Sequence, residues 1–286
     1  METKEIFKIT EIEKNTYRIL ELGGNYLTLL LGTKKAMLID TGFGFYNSKE
    51  VIEKITDLPL IVVNSHGHLD HTGGNYLYDE IYLNQDDLKT FSRYEKEKEL
   101  MIDTMKKRYD KLKKEYIWPD NFDKKEYVSK KNKKFILMGD NKKFDLGDRI
   151  VEFIKVPGHT LGQMVAFDYE TKILFSSDAV ASSLWMYYDE GISLMDYCKN
   201  IENLKKYPIK YILSAHLDTK FPVEIIDALK ATIKARSAAK SRVFIHPRNK
   251  HKALLFKYNT ENIKGFDKTS SIPRMNLIYA PSLSTD

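Results

Sequence analysis

The alternation of apolar and polar residues along the chain predicts an α/β protein. Short apolar runs separated by glycine-containing turns indicate several strands within residues 6–39, and their close spacing predicts an antiparallel meander. Residues 48–55 then carry valine and isoleucine at helical spacing, and a bare apolar run of strand length follows at residues 60–63. A helix followed by a buried strand is typical of α/β folds.

Helical and strand-like patterns alternate through the rest of the chain. Between residues 88 and 116, apolar side chains recur at intervals of three, four or seven residues, which predicts one long amphipathic helix or two shorter ones. Lys98 interrupts this stripe, and Trp118 with Pro119 ends it, because proline cannot continue a helix. The other predicted elements are strands at residues 135–138, 150–156, 165–168, 172–175 and 211–213, and helices at residues 195–206 and 223–238.

These patterns predict a domain over residues 1–240 and a basic C-terminal extension over residues 241–286, packed on the same domain. Residues 86–134 form a helical, lysine-rich insertion in that domain. Its apolar stripe must be buried against another surface, so we expect a lid over the functional site or a homodimer contact. The extension contains two strand-like pieces, at residues 253–258 and 275–280.

The charge is unevenly distributed along the 286 residues. The net charge is +6, and the insertion and the extension each have a balance of +5, so the rest of the chain is acidic. A basic border around a site favours anionic small-molecule substrates and also permits contact with nucleic acid. Interleaved lysine and glutamate are also typical of an ordinary solvated surface.

The sequence predicts a protein of a reducing, cytoplasmic compartment. Its single cysteine, Cys198, excludes an intrachain disulfide, and we expect this side chain to fill space in the core. No apolar run approaches the roughly 18 residues that span a bilayer. Charged residues interrupt the first ten positions, so no secretory signal is expected.

Three of the seven histidines lie together in the segment NSHGHLDHTGG, residues 64–74. His66 and His68 are two positions apart on an extended or loop segment, so both side chains point the same way and can share a metal ion. Asp70 and His71 can turn toward a second ion. Neutral imidazole and carboxylate are ligands that suit zinc, iron or manganese. The segment therefore predicts a metal site.

Further ligand candidates each lie just beyond a strand-like run, as His66 does. They are His159, Asp178 and His216. Functional residues gather at the carboxyl ends of strands in open α/β sheets. We therefore expect the four segments to build one site.

In chain order, HGHLDH at residues 66–71, PGHT at 157–160, SSDA at 176–179 and SAH at 214–216 resemble the motifs of the metallo-β-lactamase superfamily. The resemblance covers roughly residues 6–217. It implies the fold of that family, a four-layer αβ/βα sandwich made of two similar halves.

The resemblance also implies a dinuclear centre, position by position. The first metal is held by His66, His68 and His159, the second by Asp70, His71 and His216, and Asp178 bridges both. Asp40 matches the aspartate of the family's Asp-Thr-Gly loop, and we expect it to orient a ligand imidazole from behind. Its alternative role is that of a turn residue.

Such a centre predicts hydrolysis. Two divalent ions, with zinc expected and iron or manganese as alternatives, would lie about 3.5–4 Å apart and lower the pKa of a shared water toward 7. A hydroxide bound by both ions would attack a carbonyl or phosphoryl centre, so no side-chain nucleophile would be needed. Asp70 is the candidate catalytic residue, because it can orient that hydroxide or accept its proton.

Asp178 narrows the expected reaction. Hydrolases that resemble glyoxalase II have this bridging aspartate, whereas true β-lactamases with the HxHxDH pattern usually lack it. We therefore expect hydrolysis of a small ester, thioester or lactone. The alternatives are a phosphodiesterase or nuclease-type hydrolase of the same fold, a β-lactamase-like amide hydrolase, a non-hydrolytic di-iron redox protein and a non-enzymatic scaffold.

An aromatic segment follows Asp178 and gives the candidate substrate-binding residues. Trp185, Tyr187 and Tyr188 are close enough in sequence to line the mouth of a pocket and contact an apolar acyl group. The alternative is that these side chains take part in helix packing within the fold.

Overall fold

The computed structural model describes residues 7–21, 24–112, 118–119, 122–132, 134–187, 189, 191–245, 252–262 and 274–280. Tyr188 lies outside these residues. The chain divides into two compact units, Met1–Glu152 and Phe153–Asp286. The predicted boundary at residue 240 between a domain and an extension stays a prediction.

The described part of the first unit is built on one seven-stranded sheet. Its elements are β1 (Lys8–Glu13), β2 (Thr16–Glu21), β3 (Asn25–Leu31), β4 (Ala36–Ile39), α1 (Ser48–Ile55), β5 (Leu60–Val63), α2 (Leu69–Thr72), β6 (Glu80–Asn84), α3 (Leu88–Lys96), α4 (Lys98–Leu112), α5 (Lys124–Ser129), β7 (Lys134–Met138) and β8 (Asn141–Asp145). Strands β1 to β7 follow one another across the sheet in chain order. Neighbouring strands are antiparallel from β1 to β4 and parallel from β4 to β7.

The antiparallel meander predicted from the first residues is confirmed in β2, β3 and β4. Ile19, Leu29 and Leu38 of these strands are buried in an apolar cluster that also includes Ile52 of α1. Burial of such side chains is the main force that holds the helix on the sheet. The parallel pairing of β4 with β5 brings their carboxyl ends to the same edge of the sheet.

The helical insertion contains two helices, α3 and α4, where the apolar stripe predicted one long helix or two, and a third helix, α5. Lys98, which interrupts the stripe, starts α4 and is 2% exposed. Its ammonium lies 3.2 Å from Glu95 Oε1 and 4.6 Å from the ring centroid of Tyr127. Burial lowers the pKa of Lys98, and Glu95 opposes that change. A buried cation is thus compensated by a carboxylate and an aromatic face.

The second unit contains two sheets. Its elements are β9 (Ile150–Lys155), which crosses the division between the units, β10 (Met164–Asp168), β11 (Ile173–Ser177), β12 (Ser183–Met186), α6 (Leu194–Glu202), β13 (Tyr211–Ser214), α7 (Ile225–Ala235), β14 (Arg242–Ile245), β15 (Lys252–Asn259) and β16 (Arg274–Tyr279). One sheet contains β13, β11, β10 and β9 in that order, and the other has the order β12-β16-β15-β14.

The two strand-like pieces predicted in the extension are confirmed as β15 and β16. They pair with each other, and β16 also pairs in parallel with β12. The aromatic segment around Trp185 is therefore a strand and not a helix. Helices α6 and α7 pack against a large apolar core that includes Ile201 and Leu229. No helix among the described residues is both long and apolar enough to cross a membrane.

Candidate metal centre

The histidine-rich segment of the first unit leaves the end of β5 and enters the short helix α2. His68 occupies the N-cap position of α2, and its carbonyl oxygen accepts from the Thr72 hydroxyl at 3.0 Å. The ring centroids of His66 and His68 are 4.6 Å apart, and those of His66 and His71 are 4.1 Å apart. Asp70 Oδ2 is 3.7 Å from His71 Nε2. The first unit therefore gathers three imidazoles and a carboxylate.

Asp40 lies behind these histidines, immediately after β4, and is 3% exposed. Its carboxylate accepts from the Ser65 N–H at 2.7 Å, from the Ser65 hydroxyl at 2.8 Å and from His71 Nδ1 at 2.8 Å. A carboxylate can only accept, so Nδ1 of His71 carries the proton and its Nε2 presents a lone pair.

His66 is oriented by the same carboxylate through a hydroxyl. The single hydroxyl proton of Ser65 is directed to Asp40, and Ser65 Oγ lies 3.1 Å from His66 Nδ1. Ser65 Oγ therefore accepts from His66 Nδ1, which leaves Nε2 of His66 to coordinate a metal. Asp40 thus fixes the tautomer of two imidazoles. The role of Ser65 was missed in the sequence, because a serine next to a histidine carries no distinguishing signal.

A second polar network fixes the backbone of α2. The carbonyl oxygen of His71 accepts from the Asn64 amide at 3.0 Å and from the Thr41 backbone N–H at 2.9 Å. Asn75 donates to Asn64 at 2.8 Å. All of these groups are buried, so each needs its partner to avoid a desolvation penalty. The network holds His71 by its main chain as well as by its ring.

Glu21 is a buried carboxyl group near this loop. It is 1% exposed and accepts from the backbone N–H groups of Phe43, at 2.5 Å, and Gly44, at 3.0 Å. Burial raises the pKa of Glu21 to about 8, the backbone N–H groups of residues 43, 44 and 45 oppose that shift, and the charge of Asp70 adds to it. Glu21 therefore fixes the segment that follows Asp40 and Thr41.

The second unit places a carboxylate between two histidines. Asp178 follows β11, His216 follows β13, and these two strands are parallel neighbours. Asp178 Oδ2 lies 3.5 Å from His159 Nε2, and Asp178 Oδ1 lies 3.3 Å from His216 Nε2. His216 has a side chain that is 41% exposed, whereas that of His159 is 4% exposed. The three predicted ligand candidates of this unit therefore lie together.

The aromatic segment contacts His159 through its main chain. His159 Nδ1 donates to the carbonyl oxygen of Trp185 at 2.7 Å, which leaves Nε2 of His159 toward Asp178. The rings of Trp185 and Tyr187 pack with Phe244 of β14, with centroid distances of 5.5 and 6.0 Å to the Phe244 ring. Tyr187 is 4% exposed, so its side chain is part of the packing of this sheet. Contact of Trp185 and Tyr187 with substrate stays a prediction.

The side chains in both units fit divalent metal ions. His66, His71 and His159 each direct Nδ1 to an oxygen acceptor, which is the arrangement that makes Nε2 the coordinating atom. Asp70 and Asp178 supply carboxylate oxygens beside these rings. Imidazole with carboxylate suits zinc, iron or manganese.

An α/β fold with oriented imidazoles and carboxylates after its strands is typical of metal-dependent α/β enzymes. Residues 21–216 match the family model of the metallo-beta-lactamase superfamily, so the chain belongs to that superfamily. The predicted α/β fold class and the resemblance seen in the motifs are thereby confirmed. The protein is an enzyme of the hydrolase class, as predicted.

Curated relatives include an acyl-coenzyme A thioesterase, MBLAC2. The human protein is 25% identical to this chain over 207 residues, which cover 67% of this chain and 72% of the relative. The bovine protein is 23% identical over the same shares of the two chains.

Solved structures share the fold at low identity. A metallo-beta-lactamase from Pontibacter korlensis has a TM-score of 0.57 and 16% identity, over 80% of this chain and 100% of that one. The sec-alkylsulfatase Pisa1 from Pseudomonas sp. has a TM-score of 0.58 and 15% identity, over 79% of this chain and 40% of that one. At such identities the likeness shows the fold alone.

Proposed function

We propose that the protein is a dinuclear, zinc-dependent acyl thioesterase that hydrolyses small acyl thioesters, with small esters and lactones as further substrates of the same site. The observation that carries this proposal is the presence of two donor sets, each with a carboxylate beside imidazoles. The thioesterase relatives support the thioester as the substrate class.

The proposed ligands are those implied by the family motifs. One metal takes His66, His68 and His159, the other takes Asp70, His71 and His216, and Asp178 serves both. In support, Asp178 lies within 3.5 Å of both histidines of its own unit. When bound, the two metals supply a nucleophilic oxygen at neutral pH and withdraw charge from the scissile carbonyl.

The protein's own residues would orient the reaction. Asp70 is proposed to orient the attacking water and to accept its proton, since its carboxylate lies beside His71. Asp40 and Ser65 keep His66 and His71 in the Nε2-coordinating tautomer. The carbonyl oxygen of Trp185 does the same for His159.

The acyl group and the thiol part of the substrate would contact different surfaces. Trp185, Tyr187 and Tyr188 are proposed to contact the acyl group, because aromatic rings shield apolar chains from water. An anionic thiol carrier such as coenzyme A would be attracted by the basic insertion and extension, each with a balance of +5. The cytoplasmic setting, a lid or dimer role of the insertion and contact with nucleic acid stay predictions.

The proposal is tested by comparing initial rates on a panel of substrates. Zinc-loaded wild type and Asp178→Ala are assayed with short and medium acyl-coenzyme A thioesters, a nitrophenyl ester, a lactone, a chromogenic β-lactam and bis-nitrophenyl phosphate. A matched control is Asp189→Ala, which removes an exposed aspartate from the same unit. We expect thioester cleavage to dominate, to need Asp178 and to be unchanged in the control.

Two outcomes would contradict the proposal. Dominant cleavage of the phosphate diester would assign the basic segments to phosphate binding and the enzyme to phosphodiesterase chemistry. Equal rates for wild type and Asp178→Ala with two metals per chain in each would show that the ligand assignment is wrong.

A further inference from the structure

The first helix of the insertion packs directly against the metal-binding loop of the first unit. A Cβ placed on Gly67 would lie 2.6 Å from the backbone N of Phe91 and 2.9 Å from the carbonyl oxygen of Asp87. Only glycine allows so close an approach of the two backbones. Gly67, the middle residue of the His66-Gly67-His68 (HxH) segment, is therefore in contact with the start of α3.

Asp87 holds the peptide that joins the two histidines. It stands at the N-cap position of α3, yet its side chain makes no capping hydrogen bond to that helix. Its Oδ2 instead accepts from the Gly67 N–H at 2.7 Å, and the side chain is fully buried. Asp87 thus joins the start of α3 to the loop between His66 and His68 through a buried hydrogen bond.

Tyr94 covers the ring of His68 from the same helix. The two ring centroids are 4.4 Å apart with an interplanar angle of 33°. Tyr94 is 1% exposed and packs with Leu69 of α2 and Met101 of α4. The His68 ring is thus restrained by contact with a tilted aromatic ring of α3.

We infer that Asp87 and Tyr94 are positioning residues of the metal site, so that the start of the insertion is a fixed support of the HxH segment. This inference rests on the proposed role of His66 and His68 as ligands. Glycine has more backbone freedom than other residues, so the Gly67 peptide needs an external partner to point both flanking side chains at one ion. A loop that is held before the metal arrives loses less entropy on binding.

The test measures zinc affinity by competition with a chromophoric chelator and the absorption spectrum of the cobalt-substituted protein. We expect Asp87→Ala to weaken zinc binding about 10–100-fold, as loss of a group that supports a metal ligand does. Asp87→Asn retains a side-chain oxygen that can accept from Gly67, so its affinity should return to within about threefold of wild type. Asp86→Ala removes the neighbouring exposed aspartate and should bind as wild type does.

A second pair of variants separates the effect of the Tyr94 ring on His68 from a general loss of stability. Tyr94→Leu should weaken zinc binding and change the cobalt spectrum. Phe91→Leu removes a buried ring from the same helix. That ring contacts Phe135, with a distance of 4.7 Å between the two ring centroids. Phe91→Leu should lower the unfolding midpoint of the metal-free protein as much as Tyr94→Leu does, but leave zinc affinity unchanged.

The outcomes distinguish this inference from the proposed function. Wild-type affinity in Asp87→Ala, or an Asn variant as weak as the Ala variant, would overturn the role of Asp87. Equal losses in Tyr94→Leu and Phe91→Leu would overturn the role of Tyr94. Zinc binding that depends on both residues in a protein that cleaves no acyl substrate would support this inference and contradict only the thioesterase proposal, whereas a wild type that binds no zinc would overturn both.

Discussion

The two sets of candidate metal ligands, one in each unit, are built in different ways. In the first unit, three histidines and an aspartate come from one continuous segment of six residues, and all three imidazoles are nearly fully buried. In the second unit, His159, Asp178 and His216 come from three separate loops, and His216 is 41% exposed. The first set is oriented by side chains such as Asp40, whereas His159 is held by a backbone carbonyl group.

This difference indicates which substitutions should disturb the geometry of each set. Side-chain supports can be removed by a single substitution, so the first set depends on residues outside its own motif. A backbone support survives substitution of the residue that carries it, so the geometry of the second set depends on the pairing of β11 with β13 and on the position of β12. Variants in the two units should therefore affect metal number, metal affinity and stability in different ways.

The largest effect is expected when the candidate carboxylate ligand of each unit is removed. Asp178→Ala and Asp70→Ala should each lower kcat by about a thousandfold or more, because several kcal/mol of transition-state stabilisation are lost. The proposed bridging role of Asp178 predicts loss of both metals, whereas Asp70→Ala should retain one. Metal content per chain, measured by atomic emission after dialysis, checks this. Equal metal content in the two variants would contradict the bridging role.

A smaller effect is expected from the support of the first set. Asp40→Asn suits the left-handed backbone of this residue, with φ of 63°, and replaces a carboxylate that accepts from Ser65 and His71 by an amide. Zinc affinity should fall about 10–100-fold. Nitrogen-15 spectra of the imidazoles should show loss of the Nδ1-protonated tautomer. Asp57→Asn, at an exposed position after α1, is the control. An unchanged tautomer at His66 and His71 would contradict the role of Asp40.

The contrast between the sets also explains what the sequence could predict. The meander, α1 with its following strand, and the contiguous histidine segment all have strong local patterns, and each was predicted close to its observed bounds. Strand β6 was missed, because its sequence EIYLN has no clear local strand pattern. Strand β12 was also missed, because its partner β16 lies far along the chain and nothing local indicates the pairing.

The same reason limits what the sequence shows of the candidate site. The ligand candidates belong to recognisable motifs, so residue type and spacing indicate them. Ser65, Asp87 and Tyr94 belong to no motif, and their contacts with His66, Gly67 and His68 follow from packing. Residues that act through a neighbour carry little signal in a single sequence, since an acidic or aromatic residue near a helix start is common.

In the metal-free protein, removal of a buried candidate ligand should lower the stability more than removal of an exposed one. His71→Ala removes a buried donor to Asp40 and should lower the free energy of unfolding by about 1–3 kcal/mol. His216→Ala removes a side chain that is 41% exposed and should change it by less than about 0.5 kcal/mol. Urea unfolding in the presence of a chelator measures both. Equal losses would contradict the difference in burial as the cause.

The last expected change concerns pH and the buried acid Glu21, which holds the segment after Asp40 and Thr41. The pKa of Glu21 is raised by burial to about 8 in the folded protein, against 4.5 for an unperturbed glutamate. Between these values the unfolded chain releases this proton while the folded chain keeps it. The stability contributed by Glu21 is therefore fully present below pH 4.5 and is lost as pH rises toward 8, by about 1.4 kcal/mol between pH 6 and 7.

Glu21→Gln removes the group that titrates, so the free energy of unfolding should fall less steeply with pH in this range. This expectation holds whatever the substitution does to the absolute stability. One amide oxygen still accepts from the Phe43 or Gly44 N–H, so the segment after Asp40 keeps part of its support. Glu53→Gln, on the exposed side of α1, should leave the wild-type slope unchanged. Urea unfolding of the three metal-free proteins at pH 6, 7 and 8 measures the slopes. If wild type and Glu21→Gln have the same slope, the proton held in the folded state is not on Glu21, and the Phe43 and Gly44 N–H groups are held by an ionised carboxylate instead.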